Sequence, residues 1–562
     1  MIFQPKLFST IKNYSKKTFA ADAMAGIIVG IVAIPLAIAF GIASGVGPTE
    51  GLITAIIAGF LISFFGGTKV QIGGPTGAFI VIVYGIIQQF GISGLMIATI
   101  MAGILLVVMG FCKLGNIIKF VPYPIIVGFT GGIAITIFST QMNDLFDFGI
   151  QNVPADFVQK WICYFQNITH INWWAFGIGI CSILIIIFTP KVSKKIPGSL
   201  LAIILMTFAV WILKNYFGIN SIKTIGDLYE LPSGFPAPKL PELNLSDTAS
   251  IVALIQALFP AAFTIAMLGA IESLLSAMVA DGVISDQHDS NTELIGQGIA
   301  NIVAPFFGGI PATGAIARTM TNINNGGKTP VAGIVHAVVL LLVLLLLGGL
   351  VGLIPMPCLA GVLIMVSYNM SGWRTFVSLA KNPKSDFAIL LVTFFLTVLF
   401  DLTIAIEIGL LLAIVLFLKR TSESITIRTF HNEIDPNNET DVFIHEEKLI
   451  IPNGIEVYEI DGPYFFGIAN KFDEIMKTMG ENPKVRIIRM RKVPFIDSTG
   501  LHNLETLCLA SRKNGIHIVL SGVKPQVYKT LEKAGFTNLL GKENICSNIN
   551  IALEQAKVLN EK

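Results

Sequence analysis

Phe64-Phe65-Gly66-Gly67, then Thr68 to Gly74, then Pro75-Thr76-Gly77-Ala78-Phe79 is a stretch that the chain repeats far downstream as Phe306-Phe307-Gly308-Gly309-Ile310-Pro311-Ala312-Thr313-Gly314-Ala315. Each copy has two Phe, two Gly, a Pro and a Thr-Gly-Ala that opens a short apolar run. Gly and Pro break helices, and Thr favours their starts. Both copies lie in strongly apolar sequence. The signal therefore predicts two half-helices that begin inside a bilayer. Each would present free N–H groups and the positive end of its dipole. Two such ends facing each other make an anion site near the membrane midplane, as in carriers built from inverted repeats.

Composition agrees with a membrane setting. The chain is 53% hydrophobic and only 13% charged, with a mean hydropathy of +0.73. Soluble domains carry about 25% charged residues. Apolar runs of roughly 20 residues, long enough to span a bilayer, recur between residues 20 and 420. The net charge of +2 does not point to a partner, and no nucleic-acid role is expected. The basic N-terminus does not read as a cleavable secretory signal. The six cysteines are scattered without a CxxC pair, so neither metal nor redox use is expected.

Residues 1–19, with Lys6, Lys12, Lys16 and Lys17, read as a cytosolic lead-in. Spans are predicted at 20–44, 49–65, 76–90, 92–112, 122–140, 172–189 and 197–214. A second series follows at 253–279, 291–306, from Thr313, and at 329–352, 356–372, 385–400 and 402–418. That makes about fourteen segments, seven in each half, with the third of each half broken. An odd number per repeat inverts the second copy. Residues 141–171 and the Pro-rich 215–250 read as loops. With the N-terminus inside, Lys69, Lys113, Lys119, Lys191, Lys194, Lys195, Lys328, Arg374, Lys381, Lys384, Lys419 and Arg420 all fall in cytosolic loops, as the positive-inside rule requires. Residues 20–420 are thus the membrane domain and 421–440 a polar linker. Residues 441–562 form a soluble α/β domain, with strands at 454–460, 485–490 and 516–520 and helices at 469–479, 499–513 and 525–534.

Within the membrane, Glu272 stands out. An ionisable side chain in the apolar run Met267–Ala280 is costly and functional by default. Ser276 lies one helical turn further along the same face. A carboxyl and a hydroxyl at that spacing can hold sodium or exchange a proton, so no cofactor is expected beyond a possible sodium ion at Glu272 and Ser276. Arg318, about one turn past Thr313, can add fixed positive charge behind a bound anion. Thr76, Gly77, Ala78 and Phe79, with Thr313, Gly314 and Ala315, are the two openings, small enough to let an anion reach backbone N–H groups. Small residues suit tight helix packing equally well; their recurrence in matching positions favours the site. Asp289 and Ser290 with Glu293 read as a capping box, and His336 as a core histidine.

Two longer stretches resemble the sulfate permease family (SulP, solute carrier family 26). They are Ile271–Asp281 continuing through Gln287–Gly298, and Phe307–Thr319 followed by Gly326–Gly333. Phe495-Ile496-Asp497-Ser498-Thr499-Gly500-Leu501 resembles the core motif of the STAS domain attached to those transporters. The resemblance implies fourteen helices in a 7+7 inverted repeat with core and gate domains, plus a cytosolic α/β STAS domain. It implies an anion held between helices 3 and 10, an elevator-like shift, and a homodimer. In sodium-coupled bicarbonate members, the positions matching Glu272, Ser276 and Ile316 are Asp, Thr and Thr. These departures favour a proton, while sodium held by Glu272, Ser276 and the backbone of Gly314 and Ala315 stays open. Ser498 matches a phosphorylated serine of STAS relatives, but Asp497-Ser498-Thr499 is also an ordinary helix N-cap.

The expected function is cation-coupled secondary transport of sulfate, bicarbonate or a dicarboxylate. The protein would be multi-pass in the cell (inner) membrane, with both termini cytosolic and a possible regulator at the STAS domain. An uncoupled exchanger or channel on the same fold, or a membrane-anchored regulator, are the alternatives. No catalytic constellation is visible, and no enzyme activity is expected.

Overall fold

Prolines and glycines punctuate the apolar runs and set where helices start and stop. Pro48, Pro124 and Pro357 sit in first turns, where a missing N–H costs little. The computed structural model describes residues 3–12, 14–116, 122–150, 153–154, 156–192, 197–229, 234, 237–238, 240, 248–381, 383–400, 402–430, 433–434, 449–466 and 483–561. These divide into two compact units, Met1–Leu412 and Ala413–Lys562.

The first unit is almost wholly helical. Its elements are α1 (Lys6–Ile11), α2 (Lys16–Ala43), α3 (Pro48–Phe65), β1 (Gly73–Gly74), α4 (Ile80–Phe111), α5 (Tyr123–Thr140), α6 (Met142–Phe146), α7 (Phe157–Gln166), α8 (Trp173–Val192), α9 (Gly198–Phe217) and α10 (Ile225–Leu228). There follow α11 (Thr248–Ile284), α12 (Ser290–Val303), β2 (Thr313–Gly314), α13 (Ile316–Asn324), α14 (Val331–Val351), α15 (Met356–Met370), α16 (Trp373–Leu379), α17 (Lys384–Leu399) and α18 (Leu402–Ser424), the last crossing the unit boundary. The helices cover the fourteen predicted spans. α4 serves for two, because Gly91 breaks it with a φ of 68° that favours glycine. Among the described residues, seven helices are long and apolar enough to cross a membrane by length and composition. α12 and α13 are shorter and amphipathic, and α13, with 9 residues, reaches only part of the way across a bilayer core.

Small residues bring the central helices together. A methyl on Gly103 of α4 would meet the carbonyl oxygen of Gly298 on α12, and a methyl on Gly298 that of Gly103. Gly26 of α2 abuts Ala332 and Val335 of α14 in the same way. In an apolar medium such close backbone approach supplies dispersion where the hydrophobic effect cannot. The loop expected at 141–171 contains α6 and the amphipathic α7.

In the second unit, strands β3 (Thr426–Phe430), β6 (Ile455–Asp461), β7 (Val485–Arg489), β8 (His517–Ser521) and β9 (Ile545–Cys546) form one sheet in the order β3-β6-β7-β8-β9; β4 (Glu433–Ile434) and β5 (Leu449–Ile450) pair separately. β3 runs antiparallel to β6 and the other neighbours are parallel. The stretch expected to be a linker thus supplies an edge strand. Helices α19 (Ser498–Lys513), α20 (Pro525–Lys533), α21 (Phe536–Leu540) and α22 (Ile549–Glu561) complete the unit. Tyr458, Ile488 and Leu520 share one core with Leu504 and Leu531, while Val457, Ile487 and Val519 share another with Leu553. Burial on both faces explains why these parallel strands read as continuous apolar runs. Asp497 caps α19 by accepting the Gly500 N–H at 2.7 Å, with Ser498 exposed beside it. The helix expected at 469–479 lies outside the described residues.

Candidate functional site

The two repeated stretches meet. β1 pairs antiparallel with β2, Gly73 opposite Gly314 and Gly74 opposite Thr313, and the Ala315 N–H donates to Ile72 O at 2.9 Å. Only residues without bulk fit this crossing. A Cβ on Gly314 would land on the Gln71 amide and one on Gly74 on the Arg318 guanidinium. Each strand leads directly into a helix start. On one side Gly77–Phe79 form a short 3-10 turn that continues into α4; on the other, α13 begins at Ile316 with Ala315 as its N-cap residue.

Neither threonine caps its helix, contrary to the expectation. The Thr76 hydroxyl donates to Glu272 Oε2 at 2.8 Å, and the Thr313 hydroxyl to Gly269 O at 2.9 Å. Both side chains turn towards α11 because it runs alongside the crossing. Neither helix start receives a side-chain cap from its N-cap residue, and at the first the Phe79 N–H donates to Thr76 O at 3.3 Å. Thr313 and Gly314 lie in the strand, so the second helix opens at Ile316, later than predicted.

The two charged residues of the second half both reach the first opening. Glu272, from the second half, is held by Thr76 of the first opening. Arg318, only 2% exposed, donates from Nη2 to Pro75 O at 2.7 Å, and its Nη1 has no hydrogen-bond partner. The first opening therefore carries the carboxyl contact, and Arg318 braces the strand that leads into it. Among the described residues no ion pair joins Arg318 to Glu272. The Ser276 hydroxyl donates to Thr319 Oγ1 at 3.2 Å, and Thr319 Oγ1 also accepts the Ile72 N–H at 3.1 Å. Ser276 is thus engaged with the crossing strand. Gly77, Ala78 and Phe79 are buried; a Cβ on Gly77 would face Ile137, Met370 and Phe40.

A family model described as the sulfate permease family matches residues 19–393, and one for the STAS domain matches residues 448–552. The chain belongs to the sulfate permease family. It is 42% identical over 537 residues to the putative sulfate transporter YvdB of Bacillus subtilis (strain 168), covering 95% of this chain and 97% of that one. It is 30% identical to the bicarbonate transporter BicA of Synechocystis sp. (strain ATCC 27184 / PCC 6803 / Kazusa), covering 90% and 89%. The solved transmembrane domain of a cyanobacterial BicA superposes with a TM-score of 0.62 at 30% identity, covering 71% of this chain and 98% of that one. The solved structure of SLC26A9 shares the fold, with a TM-score of 0.83 at 19% identity over 99% and 93% of the two chains.

In this sulfate permease family member the crossing is held by residues that the sequence reading missed. Glu293 is not part of a capping box. It is fully buried, accepting from the Gly67 N–H and the Thr68 hydroxyl through Oε2 and from Gln297 Nε2 through Oε1, each at 2.8 Å. The cap is Asp289 alone, which accepts the N–H groups of Asn291 and Thr292. Asn301 clamps Ala312 twice, donating to its carbonyl at 2.8 Å and accepting its N–H at 2.9 Å. Asn322 donates to Val70 O at 2.8 Å. These amides satisfy backbone groups that two-residue strands leave unpaired. The signal was present: Glu293, Gln297 and Asn301 recur every fourth residue, a polar stripe on one face of a helix in apolar sequence. His336 is fully buried in α14, as a core histidine would be.

Proposed function

We propose that the protein is a secondary transporter of a small anion, with sulfate and bicarbonate the leading candidates and a dicarboxylate the third. The observation that carries this reading is the crossing itself: two uncapped helix starts brought together by β1 and β2, with a hydrogen-bonded acid at one of them. The N–H groups and dipole ends favour negative charge, and Arg318 adds a fixed cation to the same region. The names of the relatives, sulfate and bicarbonate transporters, support the same class. The two crossing strands come from matching positions of two seven-span halves, which supports an inverted repeat with alternating access by an elevator-like shift. The charge distribution supports cytosolic termini in a cell-membrane protein, with residues 441–562 as a cytosolic STAS domain; the family resemblance implies a homodimer as the assembly.

Coupling to a proton is favoured over sodium. Glu272 has a hydroxyl as its neighbour, and the Ser276 hydroxyl is already engaged with Thr319. Sodium in place of the proton would draw on Glu272 and the backbone of Gly314 and Ala315. Purified protein in liposomes, offered labelled sulfate, bicarbonate and fumarate at two pH values with and without sodium, tests the reading. Uptake driven by an inward proton gradient and strongly reduced in Glu272→Gln is expected. Uptake indifferent to both gradients and to Glu272→Gln would make it an uncoupled exchanger or channel.

A further inference from the structure

A cavity of about 500 Å³ opens among the C-terminal end of α2, the first part of α4, the turn between α5 and α6, α7, the segment leading into α10, and the start of α15. In the orientation proposed above it lies on the outer side. It also lies next to the crossing. Tyr84, which lines it, is seven residues beyond Gly77 on the same half-helix, about 10 Å at 1.5 Å per residue. Thr140 and Ala43 line it three residues, just under one helical turn, past Ile137 and Phe40, the side chains that face Gly77. An apolar seal of Phe40, Ile137 and Met370 is what the Gly77 opening meets on that flank.

Lys160 lines this cavity while only 2% exposed. Its ammonium has no hydrogen bond or ion pair among the described residues. Lysines at this degree of burial are normally paired, and those at an edge extend to water. Here the helix holds the side chain inward: Asp156 caps α7 by accepting the Gln159 N–H at 2.9 Å, and Trp161 Nε1 ties it to Ser139 Oγ of α5 at 3.0 Å. Burying an ammonium is unfavourable, and the charge of Asp156, one helical turn back, offsets only part of that cost. The other charges in the cavity are accounted for differently. Lys223 pairs with Asp147 at 2.8 Å, and Asp147 also accepts from Asn172 Nδ2 at 3.1 Å. Asp144 stands near that pair and feels both of its charges. The Asp147–Lys223 end is thus balanced or acidic, and Lys160, without an ion pair among the described residues, supplies the positive charge at its own end.

We propose that this cavity is an outer loading site in which Lys160 holds a small oxyanion before it reaches the crossing between β1 and β2. The inference rests on the transport reading for its purpose, and on the cavity and Lys160 for its chemistry. It assigns Lys160 as a positioning residue for substrate entering from one side only.

Two measurements on the full-length chain test it. The first needs no transport. Purified protein is reductively methylated with formaldehyde and a borane reductant, and Lys160 is followed by mass spectrometry with added sulfate or hydrogencarbonate, at matched ionic strength in chloride. Either anion near ten times its dissociation constant is expected to slow Lys160 methylation about tenfold, while exposed Lys16 keeps its rate. Equal rates at Lys160 with and without both anions overturn the proposal. The second uses oriented proteoliposomes. Lys160→Gln is expected to raise the outer-face KM for the transported anion about tenfold, the loss of one charge-assisted contact. The outer-face maximal rate and the inner-face KM should hold, the outward maximal rate falling by the same factor as detailed balance requires, and Lys160→Arg should recover most of the loss. A rise of KM of equal size on both faces, or a change in rates with both KM values unchanged, overturns it. If the wild-type protein moves neither anion, the transport reading fails, and the methylation experiment still decides whether Lys160 binds one.

Discussion

Removing the hydroxyl of Thr76 tests whether the two halves of the chain work as one site. The hydroxyl donates to Glu272 Oε2 at 2.8 Å across partly buried surroundings. A hydrogen bond to a charged group contributes about 1.5–3 kcal/mol. If it acts in the transport cycle, Thr76→Val should lower kcat/KM for proton-driven uptake between about 10- and 150-fold. Thr76→Ser, which keeps the donor, should stay near wild type. Glu272→Gln should be at least as damaging. The decisive quantity is the double variant. Because Thr76 acts through Glu272, its loss in the Glu272→Gln background should cost far less, giving a coupling energy of about 1 kcal/mol or more. Proteoliposome uptake measures all four corners, and thermal midpoints check that each variant is folded. Additivity within about 0.5 kcal/mol would show that the two side chains contribute independently and would refute the shared site.

Glu293→Ala strips a buried acceptor from the Gly67 N–H, the Thr68 hydroxyl and the Gln297 amide. It should cost about 3 kcal/mol of stability or more, read as a lowered thermal midpoint, with Glu293→Gln milder because it keeps an acceptor. Gly314→Ala places a methyl on the Gln71 amide and should reduce uptake more than about tenfold through a shifted strand pair, whereas Gly348→Ala, with open space around it, should leave uptake unchanged. Burial pushes the Lys160 ammonium from 10.5 down to about 8, with Asp156 opposing. The charge is therefore present below pH 8 and lost as pH rises through it. The other titratable groups lining the cavity are Asp144, Asp147, Lys223, Tyr84 and Tyr229. The outer-face KM for sulfate, which does not titrate here, should be about tenfold higher at pH 9 than at pH 7, and a flat profile would count against a role for Lys160.

Much of the architecture was legible because its causes are local. Long apolar runs and proline and glycine breaks each act over a few residues, so spans, the two broken segments and the α/β domain could be read directly. Parallel strands buried on both faces are likewise apolar throughout, as Ile455–Asp461 and Val485–Arg489 are. The edge strand at Thr426–Phe430 was not legible, because its pairing with β6 crosses a long stretch of chain.

The candidate site divides in the same way. Sequence alone determined that Thr76–Phe79 and Thr313–Ala315 are two breaks in apolar surroundings that lead into helix starts, and that Glu272 and Arg318 are the costly charges beside them. Which of these side chains touch was decided only by the tertiary structure. Thr76 meets Glu272, Arg318 reaches Pro75, Ser276 turns to Thr319, and Glu293 leaves the helix cap for Gly67 and Thr68. Breaker and cap signals record the conformation of a few neighbouring residues. A hydrogen bond between residues about two hundred positions apart depends on how α11, α12 and the crossing strands pack, and no local pattern encodes that packing.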